Sequence, residues 1–296
     1  MAKQVKNQTE NLSTQEKLEA LEKKYGMFSD TDFKRDIVNT GSHTLNLATR
    51  TGGYIRGTVV EIYGPESSGK STIVLHALAE FQRKYPDKKA VLMDYENSFD
   101  EVYASSIGVD VDSLKIYHPD DQEKGQDMAL ALVENEIASV IVIDSHTAAP
   151  PKAIVEGGMT DATMALQARN NSKFFLKIKG LLKKHGVTLI GVSQLRENIG
   201  GMTAEGKSPT GGNAWKFYSD MRFKVWKALD KDKELNETHV DVVKNKCGRP
   251  FGKAEFNIVW GEGIDTYEEI IKLGAERGIV DVSGTWYSYG AIKLGQ

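Results

Sequence analysis

The segment Gly64-Pro65-Glu66-Ser67-Ser68-Gly69-Lys70-Ser71 constrains this chain more than any other. It meets the pattern G-x-x-x-x-G-K-[ST] in full, and such a loop holds phosphates only between a buried strand and the start of a helix. The flanks comply. Thr58 to Tyr63 reads as a β-branched strand, and Ser71 to Tyr85 carries helical periodicity. Glycines let backbone N–H groups converge on phosphate oxygens, and the following helix turns its positive end toward them. Lys70 can reach the β- and γ-phosphates, and the Ser71 hydroxyl can ligate Mg²⁺. Nucleotide contacts are therefore expected from Gly64, Pro65, Glu66, Ser67, Ser68, Gly69, Lys70, Ser71 and Thr72, with ATP and Mg²⁺ as cofactors.

The rest of the chain agrees with an α/β fold. Ala90 to Asp94, Val140 to Asp144 and Val187 to Val192 read as further strands, the middle one a continuous apolar run that ends in an acid. Leu166 to His185 reads as a helix between the last two. Strands alternating with helices imply a mostly parallel sheet with crossover helices. Lys173, Lys177 and Lys184 form a basic stripe on that helix, opposite Phe174, Ile178, Leu181 and Leu182, and read as a solvated face. Met221 to Lys227, Glu237 to Val243 and Lys253 to Trp260 look like antiparallel strands. Tyr267 to Gln296 reads as one helix and then a Gly- and Tyr-rich segment. Gly41 to Gly57 reads as loop with a short helix.

At the N-terminus, residues 1–12 form a polar leader. Ser13-Thr14-Gln15-Glu16 is a capping-box pattern, and Leu18, Leu21 and Tyr25 follow at helical spacing before Gly26. No apolar run approaches the ~20 residues of a membrane helix. One cysteine, Cys247, excludes an intramolecular disulfide framework and fits a reducing compartment. With no signal-type stretch at the start, a cytoplasmic location is expected. The net charge of −3 excludes little, because a near-neutral chain can still carry a local basic stripe. The six histidines lack metal-ligand spacing.

Strand ends locate the remaining chemistry. Asp144 ends a buried strand, at the sheet edge where ligands of open α/β folds bind, and fits a second ligand for Mg²⁺. Hydrolysis needs a group that activates water. Glu96, just past the second strand, is the first candidate, and Asp94 is the second. Gln194 lies just past its strand, where a neutral amide can sense the γ-phosphate and pass that state into the next loop. Ile199 to Asn213 contains five glycines without apolar periodicity and reads as a long mobile loop.

These residues resemble a known family. Glu61-Ile62-Tyr63-Gly64-Pro65-Glu66-Ser67-Ser68-Gly69-Lys70 is similar to the nucleotide-binding segment of the bacterial RecA recombinases. Thr210-Gly211-Gly212-Asn213-Ala214-Trp215-Lys216-Phe217-Tyr218 resembles the stretch after that family's second DNA loop, with Trp215 in place of a usual Leu. Val243-Lys244-Asn245-Lys246, Gly261-Glu262-Gly263-Ile264 and Trp286-Tyr287-Ser288-Tyr289 match in the same order. The resemblance implies an ATP-dependent filament on single-stranded DNA that pairs it with homologous duplex DNA. It implies that Glu96 activates water, that Asp100 and Tyr103 contact the adenine, and that Lys244 and Lys246 reach the ATP of a neighbouring protomer. Two loops would face DNA. One is Glu156 to Met164, with Arg169 beyond it. The other is Leu195 to Thr210, carrying Arg196 and Ile199 and followed by Gly211, Gly212 and Asn213.

The expected fold is a RecA-like P-loop core with an N-terminal helix and a small antiparallel C-terminal part. The expected division is 1–36 for protomer contact, 37–265 for ATPase and DNA binding, and 266–296 as a short C-terminal remnant. The family commonly continues into a small helical domain with an acidic tail that restrains duplex binding, so weaker restraint is expected here. Trp226, His239 and Asp241 stand where basic residues associated with the second DNA strand are common; Lys224 and Lys227 are the candidates to compensate. Thr203 stands at a common aromatic position. Two rival classes share the P-loop. A ring helicase or partitioning motor would lack strand exchange, and a non-catalytic assembly factor would lack turnover.

Overall fold

The structure is a computed structural model, and it describes residues 13–25, 35–157, 164–197, 207–209, 213–227 and 236–295. The chain divides after Asp36 into two units.

The first unit carries helix α1 (Thr14–Tyr25). Its capping box is closed in both directions. The Ser13 N–H donates to Glu16 Oε2 at 2.7 Å, and the Glu16 N–H donates to Ser13 Oγ at 3.2 Å. Two otherwise orphaned helix-end groups are thereby satisfied. The polar leader, 1–12, lies outside the described residues, as do the side chains of Leu18, Leu21 and Tyr25.

The second unit is built on one large sheet. Its elements are β1 (Ile37–Val38), α2 (His43–Ala48), β2 (Tyr54–Ile55), β3 (Val59–Gly64), α3 (Lys70–Lys84), β4 (Lys89–Asp94), α4 (Glu101–Ile107), β5 (Lys115–Tyr117), α5 (Gln122–Glu134) and β6 (Ala138–Asp144). There follow α6 (Lys152–Glu156), α7 (Met164–His185), β7 (Thr188–Glu197), β8 (Lys207–Pro209), α8 (Ala214–Tyr218), β9 (Met221–Lys227), β10 (Asn236–Asn245), β11 (Lys253–Val259) and β12 (Gly263–Ile264). The chain ends with α9 (Thr266–Glu276) and a meander of β13 (Asp281–Ser283), β14 (Trp286–Tyr289) and β15 (Ile292–Gly295).

The large sheet runs β12-β11-β10-β9-β3-β7-β6-β4-β5, and β8 pairs with the outer part of β7. The strands from β3 to β5 in that order are parallel. β9 joins β3 in parallel and then opens an antiparallel extension through β10, β11 and β12. The apolar runs of the parallel strands follow from burial on two faces. Val60, Ile62, Val140, Val142 and Ile190 meet Ile73, Leu78 and Phe81 of α3 on one face. Ile141, Ile143 and Leu189 meet Val133 of α5 and Phe174, Ile178 and Leu182 of α7 on the other. Lys173, Lys177 and Lys184 are exposed on the far side of α7.

Two sequence expectations are revised, and the expected antiparallel C-terminal part is borne out. β7 does not end before Gln194. It runs to Glu197, because β8 pairs with Leu195, Arg196 and Glu197 and prolongs it. The loop expected over 199–213 therefore contains a paired strand at 207–209, and its other parts, 199–206 and 210–212, lie outside the described residues. The C-terminal segment is a helix followed by a three-stranded antiparallel meander.

Candidate active site

β3 runs directly into the phosphate loop, and α3 begins at Lys70. Gly69 is left-handed, with φ of 95°, and a Cβ there would lie 2.6 Å from Ile258 Cδ1. Only glycine meets both demands. The loop braces itself on one carbonyl. Ser68 Oγ donates to Pro65 O at 2.9 Å, and the Lys70 ammonium donates to the same oxygen at 2.5 Å. Burial lowers the Lys70 pKa, and Asp144, Glu96 and Glu66 oppose that shift. No side chain caps α3, so its first N–H groups are left to face an anion.

Two acids end neighbouring strands, with Asp94 opposite Asp144 in the β4–β6 register. Asp144 is pushed up to about 7, first by burial and then by Glu96 and Asp94, against the pull of Lys70 and a hydrogen bond with Ser71. The two expected metal ligands, Ser71 and Asp144, are thus brought together. They suit Mg²⁺ chemically, one hydroxyl and one carboxylate leaving positions for phosphate and water.

Asp94, the second candidate for activating water, is engaged by the backbone. Its Oδ1 accepts the Glu96 N–H at 3.0 Å, and its Oδ2 accepts the Ser98 and Phe99 N–H groups at 2.9 and 3.1 Å. Buried and taken by three backbone donors, it shapes the turn that presents Glu96. The Glu96 carboxylate meets Gln194, whose Nε2 donates to Oε1 at 2.9 Å and Oε2 at 3.1 Å. Residues 98 apart in sequence thereby join at the sheet edge beside Gly64, which pairs in register with Gln194.

A cavity of about 430 Å³ opens beside the loop, lined by Ser67, Ser68, Gly69, Lys70, Ser71, Thr72, Asp100 and Tyr103. Tyr103 OH lies 2.8 Å from Thr72 Oγ1, and Asp100 caps α4 by accepting the Tyr103 N–H at 2.9 Å. The far wall was not anticipated as part of the nucleotide site. It consists of Lys227, Ile258, Trp260 and Gly261, from the antiparallel extension. The Lys227 ammonium sits 5.8 Å from the centre of the Trp260 ring. Lys227, expected to help hold a second DNA strand, thus lines this cavity. The one sequence signal for this wall was the Gly261-Glu262-Gly263-Ile264 match.

Lys244 and Lys246 lie on and just beyond β10 and do not line that cavity. Lys244 Nζ donates to Lys216 O at 2.7 Å and Phe217 O at 3.0 Å, and Lys246 Nζ lies 3.8 Å from Asp220 Oδ1. Lys244 is lowered to about 8, by burial and then by the cations Lys246, Arg222 and Lys179, with Asp220 opposing. Phe217 is exposed beside them.

Of the expected DNA contacts, Arg169 is exposed on α7 and Asn213 is exposed where α8 begins. Arg196 is a β7 residue paired with Ser208. Ile199, Gly211, Gly212, Thr203, the loop residues 158–163 and the side chains of Met164 and Arg196 lie outside the described residues. On the β9–β10 face, Trp226 stacks on His239 at 4.2 Å and donates through Nε1 to Asp241 Oδ2 at 3.0 Å. His239 Nε2 lies 3.2 Å from Glu237, and its Nδ1 lies 3.7 Å from Glu255. These three bring donor atoms within 4.8 Å of one another, a grouping across two strands that linear histidine spacing could not reveal. Among the described residues, no helix is long and apolar enough to cross a membrane.

Residues 13–265 match the RecA N-terminal domain family, and residues 268–296 match the RecA C-terminal domain family. The segment expected to be a remnant therefore carries a recognisable match to that second domain. Protein RecA of Bacteroides thetaiotaomicron is 45% identical over 289 residues, which is 94% of this chain and 87% of that one. Protein RecA of Porphyromonas gingivalis is 44% identical over 288 residues, covering 94% and 84%. Protein RecA of Bacillus thuringiensis is 42% identical over 289 residues, also covering 94% and 84%.

Proposed function

The chain belongs to the RecA family of recombinases, DNA-dependent ATPases that promote homologous pairing and strand exchange, and from that membership we propose how its residues divide the work. ATP binds with its phosphates on Gly64 to Thr72 and its base between Tyr103 and the Trp260 wall, with Asp100 as a polar partner. Mg²⁺ is held by Ser71 and, through water, by Asp144. Glu96 activates the attacking water, and Lys70 neutralises charge that develops on the transferred phosphoryl group. Lys244 and Lys246 supply cations to the nucleotide of the next protomer in a helical filament.

The observation that carries this reading is the contact of Gln194 with Glu96. A γ-phosphate that draws the Gln194 amide toward itself frees the Glu96 carboxylate for water. The same movement pulls on the strand that leads into the second DNA-facing loop, with Arg196, Ile199, Gly211, Gly212 and Asn213. Met164 and Arg169 flank the first loop. Residues 1–36 serve protomer contact, 37–265 form the catalytic and DNA-binding core, and the protein works in the cytoplasm on single-stranded and homologous duplex DNA. The motor alternative is not favoured, because both RecA domains are matched in order.

The test is ATP turnover with and without single-stranded DNA, beside electron microscopy of the assembled protein. Turnover should rise with DNA and filaments should form. Lys70→Ala should abolish turnover, and normal turnover in that variant would remove the site assignment.

A further inference from the structure

β7 leaves the core through Ser193 and Gln194, and the chain returns to it at Asn213 and α8. Both ends meet at one buried point. Trp215, in the first turn of α8, lies over Gly191 of β7, where a Cβ would fall 2.2 Å from the indole. A side chain at 191 would therefore expel the ring. His146, two residues past Asp144, stacks on Trp215 with ring centres 4.3 Å apart and planes 8° apart. Its N–H donates to Val192 O at 3.1 Å. Ser193, His146 and Trp215 are all buried.

The hydrogens in this cluster can be counted. Ser193 has one hydroxyl hydrogen, and it goes to Glu61 Oε1 at 3.0 Å. The 2.5 Å contact between Ser193 Oγ and His146 Nε2 then needs its hydrogen from the imidazole. With the imidazole hydrogen on Nε2, the neutral ring leaves Nδ1 a bare acceptor. Among the described residues that Nδ1 and Trp215 Nε1 have no hydrogen-bond partner. One unpaired acceptor and one unpaired donor in stacked rings favour any movement of α8 that lets either atom find a partner. Glu61 passes the line on to Arg222 of β9.

We propose that Ser193, His146 and Trp215 form a buried strut that ties the return helix α8 to the strand carrying Gln194, so that DNA held on the intervening loop changes ATP turnover through it. This rests on residues 195–210 being a DNA-facing loop. His146 and Ser193 act here as positioning residues.

The experiment measures kcat and the KM for ATP of the full chain, without DNA and with saturating poly(dT). Ser193→Ala and His146→Phe, the latter keeping the stack and losing the donor, should each lose at least about tenfold of the stimulation. Turnover without DNA and the KM for ATP should stay within about twofold of the parent. Ser193→Thr, which keeps the hydroxyl, should restore stimulation, and His146→Leu, which also lacks the donor, replaces the Phe variant should that one fail to fold. Stimulation at the parental level in the variants overturns the strut, as does a fall in DNA-free turnover that matches the fall with DNA. A parent that ignores poly(dT) overturns the loop reading and the strut with it.

Discussion

Asp94→Asn is the sharpest test of how Glu96, proposed to activate water, is aimed. The carboxylate divides three backbone donors between its oxygens, Glu96 on one and Ser98 and Phe99 on the other. An amide offers one acceptor oxygen. If it turns toward Ser98 and Phe99, the Glu96 N–H faces an NH₂ group and is left unpaired, at a cost of about 1–3 kcal/mol. The two remaining bonds change from a charged to a neutral acceptor and lose roughly half their strength. A total of about 2–4 kcal/mol follows. Where the turn yields instead of the fold, Glu96 moves, and a displacement of about 1 Å at a reacting group costs roughly 10²-fold in rate. Steady-state turnover with single-stranded DNA should therefore drop about 10²-fold in kcat, with the KM for ATP changed only a few-fold because the phosphate loop is untouched. Urea unfolding of the same variant reads the stability loss. Turnover within about threefold of the parent would refute the positioning argument. Glu96→Gln in the same assay separates the acids, because a chain in which Asp94 activated water would keep its activity.

Three further outcomes are expected. Asp144 is raised from 3.8 to about 7, so its contribution to folding is full below 3.8 and lost as pH rises through about 7. The stability of the nucleotide-free parent relative to Asp144→Asn should decline across that window in urea titrations, and a constant difference refutes the shift. Arg222→Leu strands the buried Glu61 carboxylate and should cost about 3–5 kcal/mol by urea unfolding, whereas a loss under about 1 kcal/mol would mean that Ser193 alone sustains the charge. Lys244, lowered to about 8, should give assembled protein an alkaline limb as it deprotonates, and Lys244→Arg should remove it because the guanidinium stays charged. An unchanged limb in that variant assigns the loss elsewhere.

The sequence was most legible where burial is symmetrical. β3, β4, β6 and β7 are apolar runs because helices cover both faces, and α3 and α7 are long enough for their periodicity to register. The stretch from Asp100 to Ala138 was not read as structure, because α4 and β5 are too short for a pattern. The start of α5 buries Gln122 and Gly125 instead of apolar side chains. The positions of Asp144 and Glu96 were legible because a strand end marks the sheet edge, and that of Ser71 because the loop motif fixes it. The roles of Asp94 and of Trp260 were not, since the first depends on where a carboxylate points and the second on an extension folded back from the far end of the chain. His146 could not be placed either, because its surroundings come from β3, β7 and α8 together.

The parallel junction of β9 with β3 has a mechanical consequence. Lys244 pairs in register with Arg222, and Arg222 with Glu61, on the strand that runs into the phosphate loop. On the proposed reading, Lys244, which serves a neighbour's nucleotide, thus stands two strand spacings, roughly 10 Å, from the strand that feeds the protomer's own phosphate loop, on a single sheet. If Lys244 reaches the next protomer's nucleotide as proposed, a shift at one nucleotide is handed across that sheet to the next. In that arrangement a polymer is a relay in series, and one inert member should silence its neighbour as well as itself. Mixed assemblies seeded with a small fraction of a Lys70→Ala chain should therefore lose more turnover than that fraction.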